Sequence, residues 1–298
     1  ICTGIAVVII PIVCLYLLQC LLVPKYASDI KEGAMIKEYY NSEKNHDVLI
    51  LGDCEVYENI STVTMWENYG ISSYIRGSAE QLIWQSYYLL EDTLKYEKPQ
   101  VVILNVLAMT ESDAKNEAYN RMTLDGMKLS KYKIASIRES MTEEENMASY
   151  IFPLLRYHSR WSELSSEDFR YMWKTPSVTT NGYLMQKGVR PVTTIPKAAP
   201  LANYTFSSRN MEYLDKIYSL CKDNGINLVL MKAPSVYPHW YDEWDKQVSD
   251  YAYEHGILYL NTINEAGNIG IDYTTDTFDY GQHLNVEGAE KLSLYLGE

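Results

Sequence analysis

With 298 residues, 47% of them hydrophobic, the chain has apolar material for one large α/β domain or two small ones. Its formal charge of -13 excludes a nucleic-acid partner, because a surface that tracks phosphates needs an excess of Lys and Arg. Five cysteines, three of them (Cys2, Cys14 and Cys20) inside the first apolar run, exclude a disulfide framework and a CxxC metal site, and leave only one arithmetically open bridge, Cys54 to Cys221.

Residues 1–24, ICTGIAVVIIPIVCLYLLQCLLVP, form an uncharged apolar run of the length at which a helix crosses a hydrocarbon layer. It predicts a transmembrane anchor; a cleaved signal peptide, the rival, normally has an apolar stretch of only about 7–15 residues. Residues 25–46 are polar and lysine-bearing, a juxtamembrane linker with helical tendency. From residue 47 onward, strand and helix patterns alternate. Short apolar runs at 47–51, 101–106, 227–231 and 256–260 read as strands buried on both faces. Residues 80–95, 209–224, 241–255 and 286–296 read as helices. Such alternation implies crossover connections and a parallel sheet. One domain, 47–298, is therefore expected, interrupted at 107–205 by a helical insertion that lies across the site as a lid. The 27 tyrosines against 4 phenylalanines suit half-buried positions more than sugar stacking.

The stretch DVLILGDCEVY places Gly52, Asp53 and Cys54 directly after the first strand. In a parallel sheet the reactive side chains gather at that carboxyl edge, so a thiol there stands in a nucleophile's position, with a lowered pKa expected from a nearby helix start and a histidine base. The other half of such a site is legible near the C-terminus, in IDYTTDTFDYGQHLNVEGAEKL, where His283 precedes a helix and Asp279 lies four residues before it. An acid holding one nitrogen of an imidazole leaves the other free to act as a base. Glu55 is expected to raise the thiol's pKa if it points inward. Cys221 fits an apolar helical stripe and reads as a small buried residue.

The sequence GDC at 52–54, the glycine of YIRGSAEQ and the pattern HLN..GAEK resemble the SGNH (GDSL-like) hydrolase superfamily, over roughly residues 47–106 and 209–296. The likeness is greatest to membrane-anchored bacterial members akin to the D-alanyl-transfer protein of lipoteichoic-acid synthesis and to polysaccharide O-acetyl transfer proteins; the insert segment YIFPLLRYHSRW is similar to those too. The resemblance implies a three-layer α/β/α fold with an ester-cleaving or acyl-transferring site that needs no cofactor. It puts Cys54 at the family's serine nucleophile, His283 at its base and Asp279 near its orienting acid, with Asp276 as the alternative. The oxyanion would rest on the amides of Gly77 and Cys54. Departures are the cysteine itself, the one-residue displacement of the acid, and the lack of a GxND block, for which Asn105 is the nearest substitute. Asp53, Gln81, Asn105, His158 and Arg160 are candidates for substrate contact, although basic residues of the 156–160 cluster serve equally to satisfy helix-end carbonyls. An extracytoplasmic position, a cell-envelope polysaccharide or teichoic acid as substrate, and a membrane-bound O-acyltransferase as partner follow from the resemblance alone. Cys54 as an inert residue in a retired site, in a protein that binds glycan without turning it over, is the competing reading.

Overall fold

The structure, a computed structural model, describes residues 2–298; Ile1, and the side chains of residues 2–6 and 8 with that of Cys2, lie outside the described residues. Five parallel strands form one sheet: β1 (Val48–Gly52), β2 (Ser73–Gly77), β3 (Val101–Asn105), β4 (Asn227–Lys232) and β5 (Leu258–Asn261), in the order β2-β1-β3-β4-β5. Every residue of β1 is buried. Because side chains alternate along a strand, Leu49 and Leu51 join Val102, Leu104, Leu228 and Leu230 on one face, while Val48 and Ile50 join Ile75, Ile103 and Met231 on the other. Helices Ile83–Thr93, Ser208–Asp223 and Asp242–His255 cover the first face. Helices Cys54–Asn59, Thr62–Tyr69 and Val286–Gly297 cover the second, completing three layers.

Chain order reverses at β1, which has β2 on one side and β3 on the other. Such a switch point opens a crevice beyond the carboxyl ends of the strands, because the connecting helices leave in opposite directions.

Strand β2 is absent from the sequence reading. Its five residues, SYIRG, are all buried although one is an arginine. Arg76 reaches back along the neighbouring helix to Asp92 (3.3 Å), Thr93 Oγ1 (2.8 Å) and the Leu89 carbonyl (3.0 Å), with Tyr39 under its guanidinium at 4.2 Å. A charge paired with a buried acid is no longer an obstacle to a buried strand, although Nε is left without a partner among the described residues, and nothing local in the sequence announces that acid.

Residues 25–46 are not simply a spacer. They include the helix Glu32–Glu38 and a 3-10 turn Tyr39–Asn41, whose Met35, Ile36 and Tyr39 are buried in the core. The N-terminal run forms the helix Cys2–Leu22, with Val7, Ile9, Ile10, Ile12, Val13, Leu15 and Leu18 exposed. Among the described residues, no helix is long and apolar enough to cross a membrane. Between β3 and β4 run five short α-helices, from Glu117–Leu124 to Ser166–Arg170, followed by an irregular segment. That segment ties itself to the site loop through Arg190 N to the Thr277 carbonyl (2.9 Å) and Val192 N to the Tyr273 carbonyl (3.0 Å).

Candidate active site

The turn after β1 is shaped by close approach. A Cβ on Gly52 would stand 2.8 Å from the Asn105 Cβ, and one on Gly77 would stand 3.0 Å from both the Gly52 carbonyl and Val56. Only glycines let three backbone segments meet here. Asp53 then caps the helix Cys54–Asn59 by accepting a hydrogen bond from Glu55 N at 3.1 Å, which fixes Cys54 as the first helical residue. Cys54 is half-buried and lines a cavity of about 930 Å³ that His283 also lines. The two ends of the chain therefore meet at one pocket.

His283 is held by the loop that carries it. Thr277 and Leu284 close that loop as an isolated antiparallel bridge, and Thr277 Oγ1 donates to the His283 carbonyl at 2.8 Å. Tyr280 and Gly281 both take left-handed backbone (φ 68° and 91°), and this fold-back lets an acid four residues upstream reach the ring. Asp279 accepts from the His283 amide (2.8 Å) and from Nδ1 (2.6 Å). Nε2 is thereby left as the free ring nitrogen, in a residue that lines the same cavity as the thiol. Asn59 joins the two halves: its Oδ1 accepts from Leu284 N at 2.8 Å while its amide donates to the Pro234 carbonyl at 3.3 Å.

Asp276, the alternative acid, is otherwise engaged. It accepts from Asp272 N (2.8 Å) and pairs with Lys291 at 2.6 Å, so it anchors the last helix and not the imidazole. Asp279→Asn is expected to lower turnover roughly a hundredfold or more by losing the ring's orientation, whereas Asp276→Asn lowers the thermal midpoint and leaves the rate per folded molecule within about twofold. Parallel kinetics and melting curves check both.

Electrostatics differ from the sequence expectation. Burial, reinforced by the negative charge of Asp53, pushes the Cys54 thiol up to about 12, and His283 opposes this only in part. For His283, burial disfavours the charged ring, but the hydrogen bond with Asp279 and the charges of Cys54 and Glu58 outweigh it and raise the imidazole to about 12. Thiol and imidazole act as one pair with a single proton between them: burial and the Asp53 charge hold it on the sulfur, while the carboxylates behind Nδ1 ready the imidazole to take it. Asp53 is itself pushed up to about 7 by burial and the neighbouring Glu55 charge.

Beneath Cys54 lies a network that the sequence does not announce. Lys232, at the end of β4, is fully buried and bonds Glu55 (2.7 and 2.9 Å), the Ala233 carbonyl (2.7 Å) and Ser235 Oγ (3.0 Å). Asn105 donates to Asp53 (3.1 Å) and Glu55 (3.0 Å) and accepts from Ala233 N (3.1 Å). Glu55 accordingly faces Lys232 and Asn105. A second missed residue is Glu58, whose Oε2 stands 3.1 Å from Nδ1 of His283. The signals were present: a lysine closing an apolar strand, and an acid one helical turn after Cys54.

Several proposed substrate contacts are corrected. Asn105 is absent from the cavity wall and its amide is fully engaged in the network. Gln81 touches the cavity, but its amide donates to Ser86 and the Arg76 carbonyl while its oxygen accepts from Ser78, so it builds the turn after β2. His158 is exposed, beside the Leu155 carbonyl, and Arg160 pairs with Asp168 (2.8 Å) and caps the Leu22 carbonyl (2.7 Å); neither lines the cavity. Asp53 does line it. Gly77 backs the turn after β1 without reaching the cavity wall. Cys54 and Cys221 are both free, so no bridge joins them. Much of the remaining wall comes from residues 107–112, Leu201, Asn203, Thr205 and Phe206, and from Tyr237 and Trp244, and Glu55 also reaches it.

Two solved structures are similar to this chain. One, a candidate acylhydrolase from Bacteroides fragilis NCTC 9343, is 11% identical with a TM-score of 0.41, covering 92% of this chain and 95% of that one. The other, a GDSL-like lipase from Bacteroides thetaiotaomicron VPI-5482, is 11% identical with a TM-score of 0.40, covering 89% and 96%. No family model matches the chain, and no curated protein matches it.

Proposed function

We propose that this chain is an SGNH-type esterase or O-acyltransferase that uses Cys54, His283 and Asp279. The single observation behind this reading is the convergence, in one open cavity, of a thiol after β1 with an imidazole whose far nitrogen is held by a carboxylate at 2.6 Å. In the first step Cys54 Sγ bonds to the acyl carbonyl carbon and its proton passes to His283 Nε2. The C–O bond then breaks, and the imidazolium returns that proton to the departing alkoxide, leaving a thioester. A hydroxyl, from water or from an acceptor sugar, gives its proton to His283 and attacks the thioester, and the thiol is restored. The amide of Cys54, at the start of its helix, would receive the oxyanion.

The substrate we propose is an acyl group of a cell-envelope glycan or teichoic acid. Phe206, Tyr237 and Trp244 in the cavity wall suit a sugar face, and the exposed apolar helix Cys2–Leu22 suits tethering at a membrane, outside the cell and beside a membrane-bound O-acyltransferase. A second reading draws on the raised thiol: a sulfur that keeps its proton favours a site that binds acylated glycan without turnover. Hydrolysis of a panel of p-nitrophenyl acyl esters, lost in Cys54→Ala and in His283→Ala, supports the enzyme. Equal background rates in all three proteins, with glycan binding kept in Cys54→Ala, support the binding protein.

A further inference from the structure

Glu58 has no place in the Cys54–His283–Asp279 set, yet it is buried against the same ring. It follows Cys54 by four residues on the helix Cys54–Asn59, so nucleophile and carboxylate project from one helix face. Its Oε2 lies 3.1 Å from His283 Nδ1, and its Oε1 accepts from Gln186 Nε2 at 2.7 Å. The Nδ1 proton goes to Asp279, and Glu58 adds a second acid in ion-pair contact with the same ring nitrogen, so that the ring meets one acid from each end of the chain. We infer that Glu58 is a positioning residue whose negative charge, when present, stabilises the imidazolium of His283 and with it the thiolate of Cys54, so that the reactivity of the site is switched on by the ionisation of this second acid. The inference rests on the Cys54–His283 pairing proposed above.

The charged and titratable groups facing Glu58 are His283 and Asp279 from the late loop, Glu32 from the helix Glu32–Glu38 and Cys54 from its own helix, with neutral Gln186 on the remaining side. Burial is the largest influence and pushes Glu58 up to about 7, against the attraction of His283 and the Gln186 hydrogen bond. The sign follows. Below about 7 the carboxyl is neutral and only Asp279 supports the imidazolium; above it a second negative charge is added, which, lying against the ring, favours the imidazolium by more than it repels the thiolate directly.

The test is the rate of Cys54 alkylation by iodoacetamide between pH 5 and 9, read by peptide mass spectrometry of the full chain. Wild type is expected to gain reactivity through a limb near pH 7. Glu58→Gln, which keeps the shape and a bond to Gln186, should react at least about tenfold more slowly at pH 8 and equally at pH 5. Glu58→Asp should recover part of the limb. Gln186→Met, which removes a donor to the charged form, should move the limb to higher pH. A purely structural Glu58 would change the rate at all pH values alike and leave the limb of Gln186→Met in place, and that result overturns the inference. His283→Ala separates the two proposals: if it abolishes the fast reaction while Glu58→Gln superimposes on wild type, only the role of Glu58 falls. If His283→Ala reacts like wild type, the pairing itself falls and the inference falls with it.

Discussion

Replacing Lys232 with methionine is expected to lower folding stability by about 3–5 kcal/mol, the effect of removing one partner from a buried ion pair. Lys232 and Glu55 have side-chain exposures of 0% and 1%, so no water is at hand to take over the lost contacts. The variant leaves a carboxylate with Asn105 as its sole remaining side-chain donor, next to Asp53, whose proton affinity that same charge already raises. The double variant Lys232→Met with Glu55→Gln should regain most of the loss, because the amide keeps the Asn105 bond and carries no charge. Urea unfolding at pH 7 checks both proteins. A single-variant loss under about 1 kcal/mol would show that the pair is not what secures the nucleophile turn to the end of β4.

The second large effect is on chemistry. His283→Ala is expected to reduce ester turnover roughly a hundredfold to ten-thousandfold, since it removes the imidazole that takes the thiol proton and burial keeps the thiol protonated. The fold should survive, because the main-chain hold on the loop remains: the His283 amide still donates to Asp279, and Leu284 N to Asn59. Circular dichroism matching wild type together with that loss locates the defect in proton transfer. A loss below about tenfold assigns the base to another residue.

How far the sequence alone carried this picture depends on what kind of signal each residue gives. Strands β1, β3 and β4 are continuous apolar runs, and burial on both faces of a parallel sheet produces that pattern directly. The meeting of Cys54 with His283 was readable because the carboxyl edge of such a sheet collects the residues that follow its strands. β2 was not, since Arg76 breaks its run and its neutralising partners lie 16 and more residues away. The choice of Asp279 over Asp276 needed the left-handed backbone at Tyr280 and Gly281, which spacing does not reveal. Arg160 shows the opposite failure: a basic cluster in an insertion suggests an anion, but here a carbonyl at the end of the first helix and Asp168 take the guanidinium. The thiol's proton affinity went the wrong way for a related reason. A helix start and a histidine argue for a low value, but burial and Asp53 are three-dimensional facts, and they dominate.

The account depends most on Cys54 carrying the acyl group, and mass spectrometry of the protein quenched after brief exposure to p-nitrophenyl acetate reads this directly. We predict an increase of one acetyl group, mapped to the peptide containing Cys54 and absent from Cys54→Ala. An unmodified Cys54 in a protein that nevertheless turns the ester over, or an adduct on any other side chain, would contradict it.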